Sequence, residues 1–428
     1  MIKAVRGTRD LLPPSTELWN FVEDKVREVF RRYNFGEIRT PIFEPTELFA
    51  RGVGEETDIV SKEMFTWEDK ARAQSEKAQS LTLRPENTAG VMRAYIEHDL
   101  GRSGLLQKLF YIGPQFRRER PQKGRYRQFS QIGAEVIGQP SSGSELPLRD
   151  AEVLQMLTAL LDAVGLKGWT LQLNSVGCPK CRPQYNAALR EALAAVKDTM
   201  CPDCQRRAET NPLRVLDCKV PADQPAIEAL PQIADYLDED CKKHFAEVCA
   251  LLDAMKVPYS INPRMVRGLD YYQRTTFEFT HGELGAQSAV LGGGRYDGLS
   301  ESLGGQHAPG VGFAIGEDRL VLALEAQQAK AAGEIDAYLM PLGEGMNGVA
   351  LALAAELRAA GLRIEVGDES FRLKKAFGMA EKLGAVYAVI IGETEAASGL
   401  FAVKVMATGE QTGVERALLA ERLKRRDL

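Results

Sequence analysis

The stretch from Phe116 to Gly138 reads FRRERPQKGRYRQFSQIGAEVIG. Its first twelve residues set Arg117, Arg118, Arg120, Lys123, Arg125 and Arg127 against a single acid, Glu119. Pro121 and Gly124 sit inside that run, which predicts a hairpin with a cationic tip. The return strand, read from Tyr126, alternates. Arg125, Arg127, Phe129, Gln131, Gly133 and Glu135 fall on one face; Tyr126, Gln128, Ser130, Ile132, Ala134 and Val136 fall on the other. The first face is unsuited to a core, because it carries a cation cluster, an amide and a carboxylate. Gly133 removes the side chain between Gln131 and Glu135, which lie roughly 13 Å apart on an extended strand, leaving room for a small ligand. Arginine forks beside a carboxylate and an amide suit an anion joined to a small cationic or donor-bearing group. A solvated hairpin whose charges keep an edge strand soluble is the simpler alternative. Gly133 and the placing of Glu135 argue against it.

A chain of 428 residues is expected to form two or three domains. Hydrophobic residues at 44% and charged residues at 26% are those of a soluble globular protein. The opening MIKAVRGTRDLLPPS has no apolar signal region, and no run approaches a membrane span, so a cytoplasmic protein with no membrane partner is expected. A net charge of −5 exerts no global pull on nucleic acid, so any RNA must be met by local patches.

Apolar Leu18, Phe21, Val22, Val26, Val29 and Phe30 predict a helix over 15–33, followed by a strand over 37–43 broken at Pro41. Strands are expected at 65–67 and 81–83 around a charged loop, Glu68 to Gln79, then a helix over 88–97 capped by Asn87 or Thr88. Glu86 precedes that helix as a plain dipole partner. A strand over 109–113, a helix over 148–164 and a strand over 169–174 come next. Val266 to Thr280 reads as a strand-like run holding Arg267, Asp270, Tyr271 and Tyr272, polar groups that need partners if buried. LGGGRYDGL, 291–299, is glycine-rich without matching a phosphate loop. Residues 310–324 read as a buried strand running into a helix, with Arg319 in its first turns, where a cation opposes the dipole. Beyond 335 the pattern alternates between strands, at 337–341, 363–366, 388–391 and 401–406, and helices over 346–360, 371–383 and 414–425. Arg372, Lys374, Lys375 and Lys382 form a basic helix face there.

All seven cysteines lie between Cys178 and Cys249. CPKC and CPDC are separated by 19 residues, a spacing that reads as one tetrahedral Zn²⁺ site at Cys178, Cys181, Cys201 and Cys204. Geometry opposes it: the intervening run looks helical, and ~14 helical residues span ~21 Å. Three or four extended residues return only ~13 Å. The helix must be shorter or bend, or Cys218 must substitute. Reduced thiols packed as small hydrophobes are the alternative.

Taken in order, RGTRDLLP, LRPE, FRRERPQKGRYRQF with QIGAEVIG, RGLDYY, GGGRYDGL and GVGFAIGEDRL resemble the histidyl-tRNA synthetases, a family of class II aminoacyl-tRNA synthetases, over nearly the whole chain. LKKAFGMAEKLGA resembles that family's anticodon-binding domain. The resemblance implies an α+β catalytic core with a mixed, mostly antiparallel sheet over 1–325, interrupted by a helical insertion at about 176–257. A linker over 326–335 and an α/β anticodon-binding domain over 336–428 would follow. It also implies a homodimer, joined through the helix over 15–33 and the strand ending at Pro41. ATP with Mg²⁺, L-histidine and the tRNA for histidine would be its ligands.

By motif, Arg117 resembles the arginine that holds the ATP α-phosphate and substrate carboxylate, with Glu119 and Arg125 in the nucleotide site. Arg319 resembles the arginine on the nucleotide's phosphates and base, and Arg267 the one at the reacting α-phosphate. Glu86, Thr88 and Gln131 resemble the residues around the substrate amino group. Glu135 and Tyr272 resemble imidazole readers, with Tyr271 and Tyr296 lining the pocket. The family's usual LRPEGT is LRPENT here, with Asn87 for glycine. Zinc is not implied by the resemblance. The rival is a non-catalytic regulatory subunit of ATP phosphoribosyltransferase, which keeps the core but resembles a synthetase lacking the anticodon domain.

Overall fold

The computed structural model describes residues 2–55, 57–70, 78–284, 288–327 and 335–425, which form two compact units, Met1–Ala329 and Lys330–Leu428. Residues 71–77 of the expected charged loop and 328–334 of the expected linker lie outside the described residues.

Helix α1 (Ser15–Arg32) buries Leu18, Val22, Val26, Val29 and Phe30 of the expected stripe, with Trp19 buried and Phe21 only half-buried. The strand expected over 37–43 is instead two short ones, β1 (Gly36–Glu37) and β2 (Phe43–Pro45). Between them the Arg84 guanidinium takes the carbonyls of Thr40, at 3.0 Å, and Pro41, at 3.3 Å, so the ladder stops there. Then come α2 (Thr46–Val53), β3 (Phe65–Asp69) and β4 (Gln79–Leu83), where β2, β4 and β3 form an antiparallel sheet of their own. Helix α3 (Thr88–Glu97) leads to the hairpin of β5 (Gln107–Phe116) and β6 (Gln128–Ile137). Their register runs from Phe116 opposite Gln128 to Gln107 opposite Ile137. The hairpin tip closes through paired backbone bonds between Gln122 and Arg125 (3.1 and 2.9 Å), with Gly124 at φ +76°.

After α4 (Pro147–Ala163) and β7 (Trp169–Ser175), the chain leaves the sheet for the helical segment α5 (Arg182–Ala194), α6 (Pro202–Thr210), α7 (Gln224–Glu228) and α8 (Glu239–Ala254). That segment has its own core, including Tyr185, Leu189, Leu193, Val215 and Ile227. The chain returns through β8 (Ser260–Ile261), β9 (Gln273–His281), β10 (Ala289–Arg295), α9 (Leu299–Ser302), β11 (Gly310–Gly316) and α10 (Glu317–Ala326). The main sheet has the order β1-β5-β6-β11-β10-β9-β7-β8; its inner pairs are antiparallel, and only the edge pairs β1–β5 and β7–β8 are parallel. Residues 266–272, expected as strand from their pattern, are instead an irregular strap. Its backbone groups are satisfied from outside any ladder: Arg214 donates to the Arg267 carbonyl at 2.8 Å, Arg182 donates to that of Tyr272, and the Asp270 N–H reaches Val53 at 3.1 Å.

The second unit contains β12 (Ala337–Pro341), α11 (Met346–Ala359), β13 (Ile364–Val366), α12 (Leu373–Lys382), β14 (Tyr387–Ile391), α13 (Glu393–Ser398), β15 (Leu400–Val405), β16 (Gln411–Glu415) and α14 (Arg416–Lys424). Strands β13, β12 and β14 are parallel, and β15 and β16 extend the sheet antiparallel. The helix expected over 414–425 begins later, because Gln411–Glu415 pairs with β15 as an edge strand.

A buried ion network holds α8 to the core. Asp150 on α4 and Arg295 at the end of β10 have fully buried side chains. The Arg295 Nε donates to Asp150 Oδ1 at 3.1 Å, and His244 Nε2 on α8 lies 2.8 Å from Asp150 Oδ2. Burial opposes the Asp150 charge, but Arg295 and His244 outweigh it and hold the carboxyl down at about 2. Removing one partner of a buried pair strands the other. Asp150→Ala is therefore expected to cost ~3–5 kcal/mol. Urea denaturation read by fluorescence measures it, since Trp19, Trp67 and Trp169 all belong to the first unit.

Candidate functional site

Register puts Glu135 of β6 directly opposite Gly312 of β11. A Cβ at Gly312 would sit 1.7 Å from Glu135 Oε2, so only glycine leaves space for this carboxylate. The Thr88 hydroxyl donates to Oε1 at 2.7 Å, and the Tyr296 hydroxyl donates to Oε2. Burial pushes the Glu135 carboxyl up to about 8, although both hydroxyls pull it back toward the ionised form. Tyr271 packs against Tyr272 with ring centroids 4.7 Å apart, and against Tyr296 at 5.7 Å, edge on. These rings close a cage around the carboxylate.

The space above Gly133 is not open, as the alternation suggested. A Cβ there would lie 2.3 Å from the Tyr111 ring and hydroxyl, so Tyr111, opposite Gly133 on β5, occupies that place. Its hydroxyl is buried without a partner among the described residues. Gln131, on the same strand face, is buried with its Oε1 also unpartnered.

Glu86, rather than Asn87 or Thr88, caps α3: its carboxylate accepts from the N–H groups of Thr88 (2.8 Å) and Ala89 (3.1 Å). The Asn87 side chain instead accepts from the Thr40 hydroxyl at 2.6 Å. At φ −122° Asn87 meets no demand for a left-handed backbone. Burial raises the Glu86 carboxyl while those two amides and Arg117 lower it.

The arginines come from four places. Arg117, at the end of the hairpin strand, donates from Nε to the Pro85 carbonyl at 2.9 Å, and its guanidinium lies 5.2 Å from the centre of the Phe129 ring. Arg125 pairs with Glu119 at 3.0 Å near the tip. Arg319, in the first turn of α10, makes no ion pair among the described residues; burial first, and then the charge of Arg125, hold its pKa down to about 10. Arg267, on the strap, pairs with Glu278 of β9. A Cβ at Gly292 would lie 2.6 Å from the Arg267 guanidinium, so the glycine-rich run is the bare strand on which this arginine rests. Glu278 acts electrically on both Arg267 and Arg319, which links the two sides of the site.

Three participants went unread in the sequence. Tyr111 shows its place only through register. Glu278 is one acid among the residues of an ordinary strand until Arg267 lands on it. Arg9, in RGTRD, pairs with Asp318 at 2.7 Å and stacks over Tyr126 at 4.2 Å, tying the N-terminus to α10; the motif itself was the available signal.

The two CxxC pairs do not share a site. Cys178 and Cys181 gather with Asp238 and Cys241, whereas Cys201 and Cys204 gather with Cys218 and Asp223. The rigid helix α5 stands between the pairs, so the single four-cysteine zinc site is ruled out on reach.

The sheet order, with the hairpin on one side and the strand β11 running into α10 on the other, defines a class II aminoacyl-tRNA synthetase fold. Comparison with known proteins narrows this. The sequence model of histidyl-tRNA synthetase matches residues 7–320, and that of an anticodon binding domain matches 336–426. A histidine–tRNA ligase of Koribacter versatilis is 74% identical over 420 residues, covering 98% of this chain and 95% of that protein. The histidyl-tRNA synthetase structure from S. aureus matches with a TM-score of 0.78 at 37% identity, over 99% of this chain and all of that one. A Bacillus halodurans structure titled an ATP phosphoribosyltransferase regulatory subunit/histidyl-tRNA synthetase shares the fold, with a TM-score of 0.64 at 20% identity over 92% of this chain and 98% of that one. The chain belongs to the histidyl-tRNA synthetase family.

Because burial raises the Glu135 carboxyl from 4.5 to about 8, the folded unit holds this proton more tightly than the unfolded chain. Wild-type stability is therefore expected to fall as pH rises through that window. Glu135→Gln lacks the component, so its urea midpoint should gain on the wild type between pH 5 and pH 8.

Proposed function

We propose that this chain is a histidine–tRNA ligase, which activates L-histidine with ATP and passes the adenylate's histidyl group to the 3′ end of the tRNA for histidine. The observation that carries this reading is the buried Glu135, bonded by Thr88 and Tyr296 beside the Tyr271–Tyr272 pair. Its carboxylate is placed to accept an imidazole N–H, and Tyr272 reads the ring's other side. Such a site rejects isosteres lacking the ring nitrogens by ~10⁴ or more, without editing. Glu86, Thr88 and Gln131 take the amino group, and the free Gln131 Oε1 supports that role. Tyr271 and Tyr296 line the pocket.

The histidine carboxylate attacks the α-phosphorus of ATP and pyrophosphate leaves. The attacking group is already ionised, so this step needs no general base. It needs two anions aligned and their charge neutralised. Arg117 and Arg267 act at the reacting phosphate. Arg319, which makes no ion pair among the described residues, meets the nucleotide's phosphates, with Glu119 and Arg125 beside it. Glu119 and Glu278, both of which act electrically on Arg319, would offer hard oxygen donors to Mg²⁺, which is commonly held by one or two carboxylates and substrate phosphates. When bound, Mg²⁺ withdraws charge from the leaving pyrophosphate.

Residues 1–325 are assigned as the catalytic core, with the insertion at about 176–257, and 336–428 as the anticodon-binding domain. The exposed Arg372, Lys374, Lys375 and Lys382 at and along α12 give that domain a phosphate-binding face. Exposed Ile42 and Phe43, next to Pro41 in the chain, support a homodimer through this element. No helix among the described residues is long and apolar enough to cross a membrane. The regulatory-subunit reading is weakened by the matched anticodon domain and by the retained Arg117, Arg267 and Arg319.

ATP–pyrophosphate exchange tests the assignment: it should depend on histidine, and equal exchange with another amino acid would overturn it. Arg267→Ala should cut exchange by ~10²–10³-fold while leaving histidine affinity nearly unchanged. Glu135→Gln should do the reverse, weakening histidine binding by ~10–100-fold in calorimetry.

A further inference from the structure

The helical segment between β7 and β8 holds two side-chain clusters of the same chemistry. In the first, Cys178 Sγ lies 3.6 Å from Cys181 Sγ and 3.3 Å from Asp238 Oδ2, and Cys181 Sγ lies 3.7 Å from Cys241 Sγ. In the second, Cys218 Sγ lies 3.9 Å from Cys201 Sγ and 3.3 Å from Asp223 Oδ2, with Cys204 completing the group. Within each cluster all four donor atoms lie inside 4.8 Å of one another. Zinc bound to sulfur at ~2.3 Å in a tetrahedron sets neighbouring sulfurs ~3.8 Å apart, which is the spacing seen. A disulfide needs ~2.05 Å, and all seven cysteines are free.

A second set of observations points the same way. The Asp238 N–H donates to Cys181 Sγ at 3.2 Å, and the Val220 N–H donates to Cys218 Sγ at 3.4 Å. Amides aimed at sulfur fix where it points, as outer partners do for a metal ligand. Each aspartate is also oriented by a ligand-bearing residue: the Cys241 N–H donates to Asp238 Oδ1 at 2.8 Å, and the Cys201 N–H to Asp223 Oδ1 at 3.1 Å. Such outer bonds aim first-shell ligands at a metal.

We propose that each cluster, Cys178–Cys181–Asp238–Cys241 and Cys201–Cys204–Cys218–Asp223, binds one structural Zn²⁺, giving two per chain. Three thiolates and one carboxylate at tetrahedral spacing suit zinc over magnesium or calcium, which take oxygen donors. The first site closes the segment at its root, joining the loop after β7 to the start of α8. The second closes a smaller loop inside it. Arg182, next to Cys181, donates to the carbonyls of Val176, at 3.2 Å, and Tyr272. Arg214, in the turn Pro212–Asp217 just before Cys218, donates to the Arg267 carbonyl at 2.8 Å. Each site thus steadies an arginine that holds one end of the strap 267–272.

The test is elemental analysis of the full chain, purified under reducing conditions, loaded with zinc and dialysed against metal-free buffer. Two zinc per chain is expected. Cys241→Ser and Cys204→Ser should each lose one equivalent, and Cys249→Ser, outside both clusters, should keep two. A stoichiometry of one or below, or loss of all zinc from a single-cluster variant, overturns the two-site assignment. Cobalt loading of the wild type needs no variant: two equivalents should give intense thiolate charge-transfer and tetrahedral bands. A weak octahedral spectrum overturns the coordination. These readouts do not depend on the proposed ligase activity.

Discussion

The Glu135 carboxylate, buried in the middle of the main sheet, sets the terms for what surrounds it. A carboxylate removed from water is costly unless hydrogen bonds replace the lost solvent. Thr88 and Tyr296 supply them from the start of α3 and from the turn after β10. Gly312 supplies the space, because any side chain on β11 at that register position would collide with the acid. Three elements distant in sequence are thus fixed to one another by a single ionisable group.

The arginines follow a related logic. Arg319 is half-buried beside Arg125 without an ion pair among the described residues, an arrangement that costs stability in the free protein. Arg267 has Glu278 to hold it in place, and Gly292 on β10 lets its guanidinium lie against the strand. A site that keeps cations preset in this way spends folding energy to avoid reorganisation when an anion arrives. The strap that carries Arg267, Tyr271 and Tyr272 gains its rigidity from side chains of the inserted helical segment rather than from strand pairing.

Much of this was legible along the chain. Helix α1 follows from apolar spacing and β6 from alternation beyond a Pro/Gly turn, because local periodicity and turn chemistry act over a few residues. Failures occurred where long-range contacts override local preference. Residues 266–272 look like strand but become a strap, since Arg182 and Arg214 take their carbonyls. The helix read from 414 starts at Arg416, since Gln411–Glu415 pairs with β15. Gly133 looked like an opening until register set Tyr111 over it.

The sequence by itself determined the family, the cationic hairpin and which residue types could meet an anion and an imidazole, because those are properties of order and composition. Only the tertiary structure decided which of them meet. It put Glu135 opposite Gly312, set Arg267 on a triple-glycine strand and gave Glu278 its role. It also parted two CxxC pairs that spacing had joined. The reason is physical: hydrogen bonds, burial and ligand geometry act through distance in space, and neither strand register nor the path of a helix is written into the spacing of the residues it separates.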